Sequence, residues 1–75
     1  MRITDVLPGS KVMIVDTEGM NELVSRRLTD LGIMEGTEVR IQQFLPFGGP
    51  LTIEVNGQVI ALRRKEAFRI RVRNA

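Results

Sequence analysis

The sequence predicts one mainly β domain: a small closed or half-closed barrel of about five strands, with one α-helix between the first and second strands. Three observations carry this reading. Short apolar segments alternate with turn signals at roughly ten-residue spacing, as in small barrels. An Asn56-Gly57 pair separates two segments of matched alternation. Only one stretch has apolar residues at the three-and-four spacing of an amphipathic helix. The 75 residues allow a single domain, residues 1–75, with a thin core. Closing the sheet would also dispose of its edges.

Thr4-Asp5-Val6-Leu7 suits one helical turn with Thr4 as its cap. Pro8-Gly9 then turns the chain, and Lys11–Val15 reads as a short buried strand. Residues 20–31 form the helix. Met20, Leu23, Val24, Leu28 and Leu31 share its apolar face, and Gly32 follows where a left-handed cap needs no Cβ. Met34-Glu35-Gly36-Thr37 suits a type II turn, with Gly36 at the position of positive φ. The next strand alternates through Val39 and Ile41, loses the pattern at Gln42-Gln43 and regains it at Phe44. That break predicts a β-bulge.

Pro46-Phe47-Gly48-Gly49-Pro50 is a loop, because two prolines and two glycines leave no regular alternative. Asn56-Gly57 favours a two-residue type I′ turn. That turn pairs Val55 with Gln58, Ile53 with Ile60 and Leu51 with Leu62. It turns Leu51, Ile53, Ile60 and Leu62 inward, and Thr52, Glu54, Val59 and Ala61 outward. A short turn at Lys65-Glu66-Ala67 leads to a last strand over residues 68–73. There Phe68, Ile70 and Val72 point in, while Arg69, Arg71 and Arg73 form an outer row.

Composition argues against catalysis. The chain has no Cys and no His, which removes disulfides, thiolate metal sites and the usual base of a nucleophilic site. The nine acids are scattered, each near a base in sequence, so no pair of acids is set to face across a cleft. Gly48-Gly49 lacks the Lys and following helix of a phosphate-binding loop. Asp16 with Glu18 is the nearest candidate for a cation, but it reads first as a turn after the first strand. We expect no cofactor and no metal site. No apolar run approaches a membrane span, and Met1–Asp5 lacks a signal core, so a cytoplasmic location is expected.

Three surfaces are candidates for a partner. The first joins Leu45, Pro46 and Phe47 to the helix end around Met34. Phe47 serves there either as an exposed interface anchor or as a side chain folded back to cap the barrel. The second is basic: Arg63, Arg64 and Lys65, with the row Arg69, Arg71 and Arg73. It reads as a solvated face guarding an edge strand, with contact to an acidic patch or lipid headgroups as the alternative. The third is a groove between helix and barrel. With three Phe and no Trp or Tyr, it lacks the aromatic lining of a polyproline site. The pI of about 9.9 raises nucleic acid as a partner. A net charge of +2 and so few aromatics for base stacking argue against it.

In order, the motifs resemble the FeoA family over essentially the whole chain. They are Arg27-Leu28-Thr29-Asp30-Leu31-Gly32-Ile33, then Glu35-Gly36-Thr37-Glu38-Val39, Leu45–Pro50, Val59-Ile60-Ala61-Leu62-Arg63 and the pair Glu66-Ala67 with Ile70-Arg71-Val72. Glu35 stands where the family usually has Pro. The resemblance implies an SH3-like barrel and an accessory role in bacterial ferrous-iron uptake. The implied partner is the cytosolic region of the membrane transporter FeoB, which carries a GTP-binding domain. Membrane association would then come only through that partner. The same module resembles the C-terminal domain of iron- and manganese-dependent repressors, whose DNA-binding part has no counterpart here. A homo-oligomer, a nucleic-acid-binding barrel and a direct transition-metal-binding module are the alternatives carried forward.

Overall fold

A computed structural model of the chain describes residues 1–17 and 19–75. The five strands β1 (Lys11–Thr17), β2 (Glu38–Phe44), β3 (Leu51–Val55), β4 (Gln58–Leu62) and β5 (Ile70–Asn74) form one antiparallel sheet in the order β4-β3-β2-β1-β5. Helix α1 (Glu22–Asp30) lies between β1 and β2, and a single turn, α2 (Arg64–Ala67), links the edge strands β4 and β5. Of the two barrel forms expected, this is the half-closed one.

The sheet has one apolar face, and that face must be buried on itself. Two bulges make the bend. In β1 the pairing with β5 slips between Ile14 and Asp16; in β2 the pairing with β3 slips between Ile41 and Gln43. Each inserts one residue, which bends the strand and raises its twist. The slip in β2 falls where the alternation broke in the sequence. It turns Phe44, opposite Leu51, back toward the core, and Phe44 packs there partly buried. The bulge in β1 left no comparable mark in the sequence, and β1 also runs two residues beyond Val15. Its polar residue, Asp16, faces Arg71 across the ladder, and the guanidinium grips the carboxylate through two nitrogens, one at 2.9 Å.

The hairpin follows the predicted register: Val55 opposite Gln58, Ile53 opposite Ile60 and Leu51 opposite Leu62. Asn56 (φ 51°) and Gly57 (φ 82°) have the positive φ angles of a type I′ turn. Leu51, Ile53, Ile60 and Leu62 join a core with Val12, Ile14, Val39, Ile41, Ile70 and Val72. No polar or charged residue is buried among those described. The turn after the helix also forms as expected: Thr37 N–H donates to the Met34 carbonyl at 3.0 Å, with Gly36 at φ 85°.

Three details differ from the sequence reading. The N-terminal turn is a 3₁₀ turn over Ile3–Asp5, and its cap is not Thr4; the Asp5 carboxylate accepts from Arg2 N–H at 2.9 Å. Helix α1 starts later than Met20. Asn21 is its N-cap, its side-chain oxygen accepting from Val24 N–H at 2.9 Å. With nine residues the helix has little buried face: Leu28 is fully buried, Val24 partly, and Leu23 is 79% exposed. Finally, Phe68 is half-exposed because the chain is still leaving α2 at that point, and β5 begins only at Ile70. Its ring lies 4.2 Å under the Arg2 guanidinium, which also donates to the Phe68 carbonyl at 2.8 Å.

These differences separate two leucines of one apparent stripe. Leu28→Ala should destabilise the fold by about 3 kcal/mol, because it empties a buried site. Leu23→Ala should change stability by less than about 0.5 kcal/mol. Urea denaturation of both variants checks the pair.

Candidate functional site

The loop between β2 and β3 presents the most exposed large apolar side chain of the described residues. Phe47 is 103% exposed. It projects into solvent and does not fold back over the barrel. Its backbone explains the direction. Phe47 (φ 60°) and Gly48 (φ 70°) both lie in the left-handed region, and Gly49 N–H closes the turn on the Pro46 carbonyl at 3.0 Å. Positive φ at both central residues is the pattern of a type I′ turn, whose first central position favours Asn, Asp or Gly. A Phe there costs about 1 kcal/mol of steric strain. An exposed aromatic gives the fold little burial to offset that cost.

Arg64 holds this turn in place. From the first residue of α2, its Nε donates to the Gly49 carbonyl at 2.8 Å and its Nη2 to the Leu45 carbonyl at 3.0 Å. The same guanidinium lies 5.2 Å from the Phe44 ring centroid. Leu45 N–H donates to the Pro50 carbonyl at 3.0 Å and ties the base of the loop. A Cβ at Gly49 would fall 3.0 Å from the Pro46 carbonyl oxygen, tighter than ordinary contact, so the turn favours glycine there. Arg64, grouped by sequence with the basic surface, thus acts on the loop from beneath.

The remaining candidates scatter. Met34 is part-exposed but sits in the turn before β2, whereas Leu45, Pro46 and Phe47 follow its end. Seven residues of strand separate them, about 20 Å at the usual rise, so Met34 does not adjoin the Phe47 loop. It borders a separate groove with Lys11, Arg40, Glu54 and Asn56. Arg63 is the exposed N-cap residue of α2. Arg69 precedes β5 and does not form a strand row with the others. Arg71 is engaged with Asp16, and Arg73 directs an Nη toward the Met13 sulfur at 3.4 Å. These two stand on an edge strand, whose Val72 N–H donates to the Met1 carbonyl at 2.7 Å. The predicted turn residues Gly32, Gly36, Gly48, Asn56 and Gly57 all have positive φ. Of the proposed Asp16–Glu18 cation pair, Glu18 lies outside the described residues. Among the described residues, no group of three or more His, Cys, Asp or Glu is placed to hold a metal ion, and no helix is long and apolar enough to cross a membrane.

The FeoA domain model matches residues 1–74. The chain is similar to the FeoA protein from Chlorobium tepidum at 30% identity and a TM-score of 0.91, covering 99% of this chain and 70% of that one. It is similar to iron(II) transport protein A from Clostridium thermocellum at 31% identity and a TM-score of 0.88, covering 99% of this chain and 45% of that one. A manganese-dependent transcriptional repressor shares the fold alone: 15% identity, a TM-score of 0.90, and coverage of 100% of this chain and 41% of that one. No curated protein matches the chain by sequence.

Two substitutions, one in the loop and one beneath it, should shift stability in opposite directions. Arg64→Ala should cost about 1–2 kcal/mol by removing two charge-assisted hydrogen bonds. It should also speed amide exchange at Leu45 and Gly49, and Arg64→Lys should not restore protection, because one ammonium lacks the guanidinium fork. Phe47→Asn should instead stabilise the fold by about 0.5–1 kcal/mol, since Asn tolerates the left-handed region. Hydrogen exchange and thermal melting read both.

Proposed function

This chain belongs to the FeoA family, and from that premise we propose that it is a small accessory protein of bacterial ferrous-iron uptake that docks by its Phe47 loop on the cytosolic part of the FeoB transporter. The observation that carries this reading is a fully exposed aromatic on a strained, internally clamped turn. Aromatic anchors concentrate binding energy when they enter a partner's pocket. A turn already fixed by Arg64 loses little freedom on docking, so less of that energy goes to ordering. Strain of about 1 kcal/mol, held in place by the surrounding turn at a solvent-facing position, is the pattern of a side chain kept for contact with a partner. The domain works in the cytoplasm and reaches the membrane through its partner. Leu45 and Pro46 flank the anchor, and the basic residues Arg63 and Arg69 form a second contact region. Docking biases the partner's conformational or nucleotide-dependent state.

Titration of the purified chain into the cytosolic region of FeoB, with and without guanine nucleotide, tests this. Saturable binding with a Kd of about 10–50 μM is expected, near 6–7 kcal/mol. Phe47→Asn should weaken it by roughly thirtyfold, the loss of a hot-spot side chain, while raising fold stability. Sedimentation of the chain alone separates this partner from a second copy. Absence of saturable binding up to about 100 μM in either nucleotide state, or undiminished binding by Phe47→Asn, would overturn the reading.

A further inference from the structure

A second concave site lies away from the Phe47 loop, between the start of α1 and the turn of α2. It encloses about 470 Å³ and gathers Arg63, Lys65 and Arg69, three cations from the end of β4, from α2 and from the approach to β5. No acidic side chain among the described residues pairs with any of the three. The one carboxylate in the wall, Glu66, is engaged through one of its oxygens. Its Oε1 accepts from Arg27 Nη2 at 2.8 Å and from the Arg63 backbone N–H at 3.4 Å, and only 11% of its side chain is exposed. Gly19, Met20, Val24 and Asn21 complete the wall, and Asn21 is the polar side chain among them. Its Oδ1 is taken up by Val24 N–H, which leaves the amide NH₂ as its free group. Apart from the second Glu66 oxygen, the side-chain polar groups left to a ligand are donors, and three of them are charged.

The Arg69 guanidinium lies over the backbone at Gly19. A Cβ at Gly19 would fall 2.8 Å from Arg69 Nη1, so the missing side chain is what lets the guanidinium lie against the chain. Gly19 adopts φ 73°, a region L side chains rarely take. A pocket this rich in charged donors suits a multiply charged oxyanion with several acceptor oxygens. A monovalent halide would leave most of these donors unused.

We propose that this pocket binds a phosphate-bearing ligand, through Arg63, Lys65 and Arg69 with the Asn21 amide. The ligand is either a soluble phosphate or a phospholipid headgroup. Unlike the solvated basic face expected from sequence, it uses only these three cations; Arg64, Arg71 and Arg73 are committed elsewhere.

The test uses the intact chain and sodium pyrophosphate, followed by amide chemical shifts, with sodium chloride at matched ionic strength as control. Saturable shifts at Gly19, Lys65 and Arg69 are expected. Lys65→Gln and Arg69→Gln should each weaken binding by roughly five- to tenfold, the share of one exposed charge-assisted contact, and Lys11→Gln should have no effect. Co-sedimentation with phosphatidylglycerol vesicles but not phosphatidylcholine vesicles, lost in Arg69→Gln, would assign the phosphate to a headgroup. Pyrophosphate binding without vesicle binding would assign it to a soluble ligand. Shifts reproduced by sodium chloride, or affinity unchanged in both variants, would overturn the proposal. So would a poly-glutamate peptide that binds where pyrophosphate does not. Lys65→Gln lies outside both the Phe47 loop and the Arg63 and Arg69 contact region, so with that variant either reading can fail without the other.

Discussion

A single sheet must bury its own apolar face, and the two bulges that let it bend govern the rest of the structure. A five-stranded sheet with one short helix has no second layer large enough to cover it. Bending at Val15 and Gln42 solves this, because each extra residue turns the following strand around the core. After the first bulge, β1 leaves β2 behind and continues only with β5, where Asp16 meets Arg71. After the second, β2 delivers Phe44 to the core and hands the chain to the 45–50 loop. Without that slip Gln43 would take the inward position, and a polar amide would enter a core that otherwise has none.

The loop inherits its geometry from this bend. Phe44 supplies the apolar surface beside which the Arg64 guanidinium lies, and the guanidinium then reaches two carbonyls of the loop. The Asn56-Gly57 hairpin contributes from the other side. Its register places Leu62 opposite Leu51, so that α2 starts level with the base of the loop. The exposed Phe47 is thus the end of a chain of constraints that starts in the core. The basic pocket has a different origin. It arises where α2 meets the start of α1, and the Arg27–Glu66 ion pair joins the two elements.

Much of this was legible in the sequence, for local reasons. Asn56-Gly57 needs only its own φ preferences to set a register, and the doubled Gln42-Gln43 shows its bulge as a broken alternation. Gly32 and Gly36 announce turns in the same way. Other features depend on partners distant in sequence. Val15 is apolar, so the β1 bulge leaves no break in pattern. Leu23 and Leu28 look alike on a helical wheel; only the narrow contact between a nine-residue helix and the sheet tells them apart. The role of Arg64 rests on carbonyls 15 and 19 residues away, and its neighbours Arg63 and Lys65 disguise it as part of a charge run. Met34 and Phe47 border the two ends of one strand, and the length of that strand separates them. The pocket's signal was fainter still: Gly19 and Arg69 are individually unremarkable and acquire meaning only in contact.

The central claim is that the Phe47 turn is already rigid in the free protein, held by Arg64 and strained in its backbone. Backbone ¹⁵N relaxation of residues 47–49 measures this most directly. The account predicts order parameters near 0.85, the level of a rigid backbone, for a loop built from prolines, glycines and an exposed aromatic. Values below about 0.6 across those residues would contradict it.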